Sequence, residues 1–372
     1  MANTFLTPDI IAREALMLLS NNTVISNLVH RDREQEFTGA KVGDTITIRR
    51  RANFRVDEFS STIDVQDINE GGVPLQLEKH YDISVGVTSK ELTLELDEFS
   101  SRIIAPAMIN MAEKVDSYVY GLSNQIPTAI LKAGSDTALS DLAKVDAQLL
   151  RQKVALAGRS GMVSPNRKAE MMSIDAVVRA DARGDEGTAL REASMGRVMG
   201  IDWYGVQGVE THVTGTAPTT MAIDNTGGYP AGTTTINLTE SGTGAGVLVK
   251  GDIIEIAGSG QHVVTAENTA SSGDWTAVSI YPALRADVVD TAVVTKLEGH
   301  EMNIVGDLRG VSLAVVPLAL PMESGRGATM SYNGLSIRVV IGYNQTTKSD
   351  TVSFDLLCGG KVTQPELLTR FG

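Results

Sequence analysis

The stretch "VPLQLEKHYDISVGV", from Val73 to Val87, carries a long alternation of apolar and polar residues. Apolar side chains occupy every odd position except Lys79, which is the pattern of a strand with one buried face. A strand of this length would extend about 50 Å. A compact chain of 372 residues has a radius of gyration of only about 21 Å. We therefore expect this strand to cross the whole molecule or to project from it.

A second alternation precedes the first in "KVGDTITIRR", which begins at Lys41. Together the two alternations predict the sides of one long hairpin, Lys41 to Val87. A two-stranded ribbon is marginally stable by itself in water, so we expect its outer half, about Arg51 to Leu77, to pack on a neighbouring subunit. The basic run Arg49 to Arg51 lies at the end of the first strand and is interpreted as a solvated or subunit-contacting edge.

Helical patterns flank the hairpin on both sides. Thr7-Pro8-Asp9 is a typical helix start, with a capping residue, a proline in the first turn and an acidic residue near the positive end of the dipole. Apolar residues from Ile11 to Leu19 then fall on one helix face. A longer helical pattern runs from Asp97 to Leu122. Pro106 is expected to bend that helix, because proline removes a backbone donor from the ladder.

The rest of the chain mixes helices and strands. Two further helices are predicted, from Ser140 to about Ala157 and from about Asn166 to Ala180. Composition then shifts to Thr and Gly, and the short strand patterns from Thr214 to Glu298 indicate an inserted β domain. Closing strands are predicted at "GVSLAVVPLAL" and in a hairpin of "LSIRVVIGY" with "TVSFDLLCG", where Cys358 is expected to face the core.

Composition excludes several classes of protein. The net charge of −13 argues against strong binding to a phosphate backbone, which requires clustered Lys and Arg. Aromatic residues make up only 5% of the chain, too few for base-stacking platforms. The single cysteine, Cys358, excludes an intrachain disulfide and fits folding in a reducing cytoplasm. No apolar run approaches the roughly 20 residues of a membrane helix, so no membrane partner is expected.

Sequence motifs give little support to an enzyme. The segment "LVHRDREQEF" contains His30-Arg31-Asp32, the triplet that places a catalytic base in protein kinases, but Phe37 stands where a kinase has a metal-binding Asn. Phosphate-binding loops, zinc motifs and nucleophile elbows are absent from the sequence, and the histidines are scattered singly. We predict no catalytic, cofactor-binding or metal-binding residue; an enzyme with no recognisable motif is kept as an alternative.

The order of these elements resembles the major capsid (coat) proteins of tailed bacteriophages, which have the Hong Kong 97 type of fold, and in particular the branch that carries an inserted domain. The resemblance implies an α+β fold and assigns a role to each segment. Residues 1–40 would be the N-terminal arm, 41–88 the extended β-loop (E-loop) and 89–125 the peripheral domain with the spine helix. Residues 126–213 would begin the axial domain, 214–298 form the inserted β-rich domain, and 299–372 supply the closing axial and peripheral strands.

The resemblance also implies a function. The chain would self-assemble, through hexamers and pentamers, into an icosahedral shell that encloses double-stranded DNA, with a separate scaffolding protein and a portal protein as partners. Contact with DNA would be weak or non-specific, and no cofactor would be needed. The protein would assemble in the host cytoplasm and be part of the virion capsid. Seven residues are candidates for subunit contacts: His30, Arg31, Asp32, Arg49, Arg50, Arg51 and Lys79.

Two other readings remain open. A cellular shell protein of the encapsulin-like nanocompartment type shares the fold. The inserted domain could also bind glycans on a particle surface, with Trp275 and Tyr281 as the stacking residues, although both residues also suit the core of a small barrel.

Overall fold

The computed structural model describes residues 8–31, 45–50, 71–88, 103–134, 136–179, 188–240, 246–320, 327–344 and 349–372, together with Phe37, Val56 and Glu58. The chain divides into two compact units. The first unit comprises residues 1–115 and 311–364, and the second comprises residues 116–310 and 365–372.

In its described residues the first unit contains helix α1 (Pro8–Asn22) and a five-stranded antiparallel sheet. The strands of this unit are β1 (Thr45–Arg49), β2 (Gly72–Gln76), β3 (Lys79–Thr88), β19 (Val311–Val316), β20 (Gly327–Tyr332), β21 (Leu335–Asn344) and β22 (Ser349–Val362). The sheet has the order β19-β22-β21-β20, and β3 also pairs with β22. Helix α1 packs on β20 and β21 through its buried face, which includes Ile11, Ala15 and Leu19.

The long alternation from Val73 to Val87 is two strands, so the prediction of one continuous strand is wrong. β2 pairs with β1, the chain breaks at Leu77-Glu78, and β3 pairs with β22 along its whole length. Odd-numbered residues stay on the more buried side in both strands. The apolar–polar alternation therefore continues through the break. For this reason the sequence pattern does not reveal that the chain changes its partner strand from β1 to β22.

The closing hairpin agrees with the sequence pattern. β21 and β22 pair antiparallel from Arg338↔Asp355 to Asn344↔Ser349. The residues Val352, Phe354, Leu356 and Cys358 are all buried, so the expected orientation of Cys358 is confirmed. A strand that the sequence analysis did not predict, β20, joins β21 through Asn333-Gly334; both residues have positive φ, as a two-residue hairpin turn of type I′ requires.

Helices depart from their predicted bounds mainly at their ends. Helix α2 (Ala105–Gly121) contributes residues to both units, and the π-helical residues Ile103 and Ile104 lead directly into it. The predicted start at Asp97 lies outside the described residues. The expected bend at Pro106 stays a prediction. Helix α3 (Leu139–Arg151) ends earlier than expected. The helix predicted near 166–180 is split into α4 (Pro165–Met172) and α5 (Asp175–Val178).

The second unit combines a six-stranded mixed sheet with a closed barrel. The sheet has the order β4-β23-β18-β5-β7-β6, formed by β4 (Ala129–Ile130), β5 (Ser160–Val163), β6 (Arg197–Val198), β7 (Ile201–Gly205), β18 (Asn303–Gly306) and β23 (Leu368–Phe371). Apolar residues of α3 pack with this sheet around Trp203 and Phe371. A short helix, α6 (Thr188–Glu192), precedes β6.

The barrel closes in the order β10-β15-β13-β12-β16-β9. Its strands are β9 (Thr220–Ile223), β10 (Thr235–Thr239), β12 (Ile253–Ile256), β13 (Gly260–Val264), β15 (Asp274–Tyr281) and β16 (Val293–Lys296). A small side pair consists of β11 (Val247–Leu248) and β14 (Asn268–Thr269). The barrel encloses its own apolar core, with Trp275 fully buried in it. All six strands lie between Thr214 and Glu298, the segment read as an inserted β domain.

Candidate functional site

The short ribbon of β1 and β2 buries one face and exposes the other. The strands pair from Thr45↔Gln76 to Arg49↔Gly72, and the backbone N–H of Arg50 extends the ladder by donating to Gly71 O at 2.8 Å. Its buried residues are Ile48, Val73 and Leu75. A two-stranded ribbon needs such a surface to be stable. The first unit supplies it.

Two small residues form the seat of the ribbon. Leu75 and Ile48 pack on Ala314 of β19, and Ala314 pairs with Gly359 of β22. A Cβ on Gly359 would overlap the carbonyl group of Gln76, because β2 passes directly over this point of the sheet. Glycine in a strand often marks such a close approach of a second backbone, and the sequence "CGG" at 358–360 is that signal here.

The opposite face of the ribbon is exposed and polar. It presents Thr45, Thr47 and Arg49 from β1 beside Pro74 and Gln76 from β2. Because side chains alternate along a strand, these groups share one face. That face has the hydroxyl, amide and guanidinium groups that can bond to another protein surface.

This arrangement corrects the expected boundary of the outer ribbon. The sequence pattern predicted that residues from Arg51 to Leu77 are ordered by a neighbour, but Val73 and Leu75 are buried against their own sheet. The returning strand therefore belongs to the core of the first unit at least from Gly72 to Gln76. Arg51 lies outside the described residues.

The His30 segment is attached to the edge of β19 by its backbone. His30 N donates to Val311 O at 3.0 Å, and Leu313 N donates to His30 O at 2.9 Å. Arg31 follows and lies against Gly334 in the β20–β21 turn. Both side chains are half-buried within their own chain, and Asp32 lies outside the described residues. Their assignment to subunit contacts stays a prediction.

Lys79 is exposed at the start of β3, where its backbone pairs opposite Cys358. Burial raises the pKa of the Cys358 thiol to about 12, and the nearby Lys79 ammonium partly opposes that rise. The structure therefore places the described candidates at three places in the first unit: the ribbon for Arg49 and Arg50, the β19 edge for His30 and Arg31, and the start of β3 for Lys79.

The root of the barrel is a buried polar joint that sequence reasoning missed. The chain enters through β8 (Thr211–His212) and leaves through β17 (His300–Glu301), and these two strands pair with His212 opposite His300. The two imidazole centroids are 5.9 Å apart. Asp252 of the barrel lies 2.9 Å from His212 Nε2 and accepts bonds from the backbone N–H groups of Gly215 and Val249.

The same joint ties the barrel to the six-stranded sheet. The side chain of Gln261 in β13 bonds both the N–H and the C=O of Ala129 in β4, at 2.9 and 3.1 Å. The guanidinium of Arg370 in β23 donates to Gly251 O at 2.9 Å, and burial lowers its pKa to about 9. The sequence signal for this joint was a pair of histidines, His212 and His300, one just before and one just after the inserted segment.

The aromatic residues of the barrel do not form a stacking surface. Trp275 is fully buried, and its Nε1 donates to Gly246 O at 3.2 Å. Only Tyr281 of the proposed pair is partly exposed. Trp275 is therefore excluded as a glycan-stacking residue, and Tyr281 alone of the two candidates is accessible.

Within the described residues, no helix is long and apolar enough to cross a membrane, and His, Cys, Asp and Glu side chains form no cluster of three or more suited to a metal ion.

Comparison with known proteins shows the fold. No family model and no curated protein matches the chain. Among solved structures, one from Mycobacterium phage Che8 aligns with a TM-score of 0.54 at 14% identity, covering 94% of this chain and 91% of that chain. The capsid of bacteriophage PhiM1 in its mature form gives 0.49 at 11% identity, and that of cyanophage P-SCSP1u gives 0.48 at 11%; each match covers 94% of this chain and 87% of the other. The chain has the α+β, Hong Kong 97-like fold of tailed-phage major capsid proteins.

Proposed function

We propose that this chain is a major capsid protein, which self-assembles into the icosahedral shell that encloses the double-stranded DNA of a tailed bacteriophage. The observation that carries the proposal is a capsid fold that extends over nearly the whole chain. The role is structural. Hexamers and pentamers of this chain build the shell, with a scaffolding protein and a portal protein as assembly partners and only weak contact with DNA.

The ribbon is the part of the first unit that we assign to contact between subunits. Its buried face is fixed on β19 and β22, so its exposed face is held in a defined orientation before any partner arrives. Such preorganisation lowers the ordering cost of binding. Arg49 and Arg50 lie at the end from which the chain continues toward residues 51–70, and Lys79 follows three residues after the last residue of β2, Gln76. Together with His30, Arg31, Asp32 and Arg51 they form the proposed contact set.

The domain assignments follow the same proposal. Residues 41–88 act as the extended loop, 89–125 as the peripheral domain with its spine helix, and 214–298 as a domain inserted into the axial domain. Pairing of β8 with β17 supports the last assignment, because insertions are tolerated where the entering and leaving chain meet.

Electron microscopy and sedimentation test the proposal directly. The purified chain, alone and with a scaffolding protein and portal from neighbouring genes, should form uniform polyhedral shells. Particles from infected cytoplasm should protect DNA from nuclease. Shells that contain a protein cargo and no DNA would favour the cellular nanocompartment, and a chain that stays monomeric under all conditions would contradict both.

A charge reversal tests the assigned surface. Arg49→Glu should keep a cooperative thermal transition of the monomer, because Arg49 is exposed on the ribbon, and should reduce the yield of shells. Lys250→Glu, an equal change at an exposed position of the barrel segment, serves as the control and should assemble as the parent does. Equal yields from the two variants would remove Arg49 from the contact set.

A further inference from the structure

Four buried polar atoms at the root of the barrel have no protein partner within the described part of the chain. They are Arg370 Nε, Arg370 Nη2, Asn124 Oδ1 and His300 Nε2. Arg370 is 0% exposed, and His300 is 6% exposed. An unpaired buried polar atom is destabilising, so a group of four in one region indicates a bound partner.

The side chains of Arg370 and Asn124 meet at Gly251 of the barrel, and the His300 ring lies 5.9 Å from that of His212, which contacts the next residue, Asp252. Arg370 donates through Nη1 to Gly251 O at 2.9 Å, and Asn124 Oδ1 lies 2.7 Å from the position that a Cβ on Gly251 would occupy. His300 is an electrostatic neighbour of Arg370 and of Asp252. Each side chain comes from a different segment: the 3-10 turn Leu122–Gln125, β17 and β23.

The chemistry of the atoms limits what can bind. Arg370 Nε and Nη2 are donors on one edge of the guanidinium. Asn124 Oδ1 is an acceptor. His300 Nδ1 lies 2.9 Å from Glu298 O, so it carries the proton, and the neutral ring presents a lone pair at Nε2. Burial lowers the pKa of His300 to about 4, which keeps the ring neutral at pH 7. The set therefore offers two donors and two acceptors.

Ions do not match this set. An anion would accept from Arg370 but would face two lone pairs and the nearby Asp252 carboxylate. A cation would suit the acceptors but would face the guanidinium. Asp252 does not satisfy Arg370 directly, because its oxygens already accept from Gly215 N and Val249 N and lie against His212.

We propose that Arg370, Asn124 and His300 coordinate one buried water molecule at the root of the barrel. A water molecule accepts two hydrogen bonds and donates two, and buried waters typically make about three bonds to otherwise unsatisfied groups. This water joins the turn after α2 to β17 and to β23. It adds a third connection to the Gln261–Ala129 and Arg370–Gly251 bonds that fix the barrel on the sheet.

A density map of the unmodified chain, at a resolution that shows ordered solvent, is the first test. We expect one peak within hydrogen-bonding distance of Arg370 Nε and Nη2, Asn124 Oδ1 and His300 Nε2. Direct bonding of the guanidinium edge to Asp252, or density for a larger anion on it, would overturn the proposal.

Magnetic relaxation dispersion of the water oxygen counts long-lived waters in solution. Asn124→Leu replaces the acceptor by an apolar group of similar size and should remove one long-lived water per chain. Asn268→Leu is the control, because Asn268 bonds Thr276 O near the barrel surface, and its count should not change. Equal counts in a folded Asn124→Leu variant would contradict the site; if that variant does not fold, the map decides.

Discussion

The ribbon of β1 and β2 and the barrel of the second unit are both antiparallel, yet they satisfy their apolar faces in different ways. The barrel closes on itself, so every one of its six strands has two neighbours and the core is internal. The ribbon has two strands and packs its apolar face on Ala314 and Gly359 of another sheet. Closure removes exposed strand edges, whereas an open ribbon retains them.

This difference indicates where contacts with other molecules are encoded. The barrel has an internal apolar core and a polar joint to the sheet. The ribbon's position is fixed by the first unit, while Thr45, Arg49 and Gln76 are exposed on its polar face. We therefore expect damage to the barrel to stay local to it, and damage to the ribbon to affect assembly.

The largest effect on stability is expected from Trp275→Ala. A buried tryptophan replaced by alanine typically costs about 3–5 kcal/mol through lost burial and a residual cavity. Because the barrel core is internal, hydrogen exchange should accelerate in β12, β13 and β15 while β21 and β22 keep their protection. Equal loss of protection in both regions would show that the barrel is not an independent core.

Gly359→Val tests the seat of the ribbon. The new side chain would collide with the backbone at Gln76, so the ribbon must lift from the sheet, at a cost of about 1–3 kcal/mol or more. Proteolysis near residues 72–77 should become faster. Gly342→Val is the matched control, since a Cβ on Gly342 in the same sheet meets no atom within 4 Å. If the two variants have the same stability and proteolysis pattern, β2 does not lie on Gly359.

Mild acid should loosen the root of the barrel. The pKa of His300 falls from 6.5 to about 4 in the folded chain, chiefly through burial and with repulsion from Arg370 and His212; Asp252 and the Glu298 carbonyl oppose that shift. The unfolded chain binds the proton first, so this contribution to stability is complete above pH 6.5 and is lost as pH falls through about 4. His300→Gln should flatten the pH dependence of unfolding in this range. An unchanged slope would contradict the role of His300.

Cys358 should give the smallest effect, a slow labelling rate with no change in stability. Its thiol is buried and its pKa is raised to about 12, so thiol reagents should not modify the native chain even at pH 9, whereas denatured chain should react at once. Rapid stoichiometric labelling of the native chain would mean that the faces of β22 are reversed.

Local periodicity was sufficient to predict much of the first unit. Alternation placed Cys358 on the correct face of β22, and helical spacing from Ile11 to Leu19 gave the buried face of α1. Periodicity could not show that the chain changes its partner strand at Leu77-Glu78, because apolar residues keep the odd-numbered positions on both sides of that break. Strand β20 could have been found from Asn333-Gly334, a strong hairpin signal that the sequence analysis overlooked.

The seat and the joint depend on contacts between distant segments. The need for glycine at 359 is evident only when β2 is seen to pass over it. His212 and His300 pair although the whole barrel segment separates them in the sequence. Asn124, Arg370 and Gly251 come from three separate parts of the second unit. No periodicity relates such residues, so a single sequence could indicate their types but not their meeting.

The central claim is that the hairpin beyond the ribbon joins subunits and that its tip is not a part that the subunit needs in order to fold. Replacing residues 57–70 by a short Asn-Gly turn tests it; apart from Glu58 this segment lies outside the described residues, and the seat of the ribbon is left intact. Sedimentation and a thermal melt of the same preparation give the answer. We predict a cooperative thermal transition as a monomer and no shells. Global unfolding would place the segment in the subunit core, and normal shells would show that residues 57–70 do not join subunits.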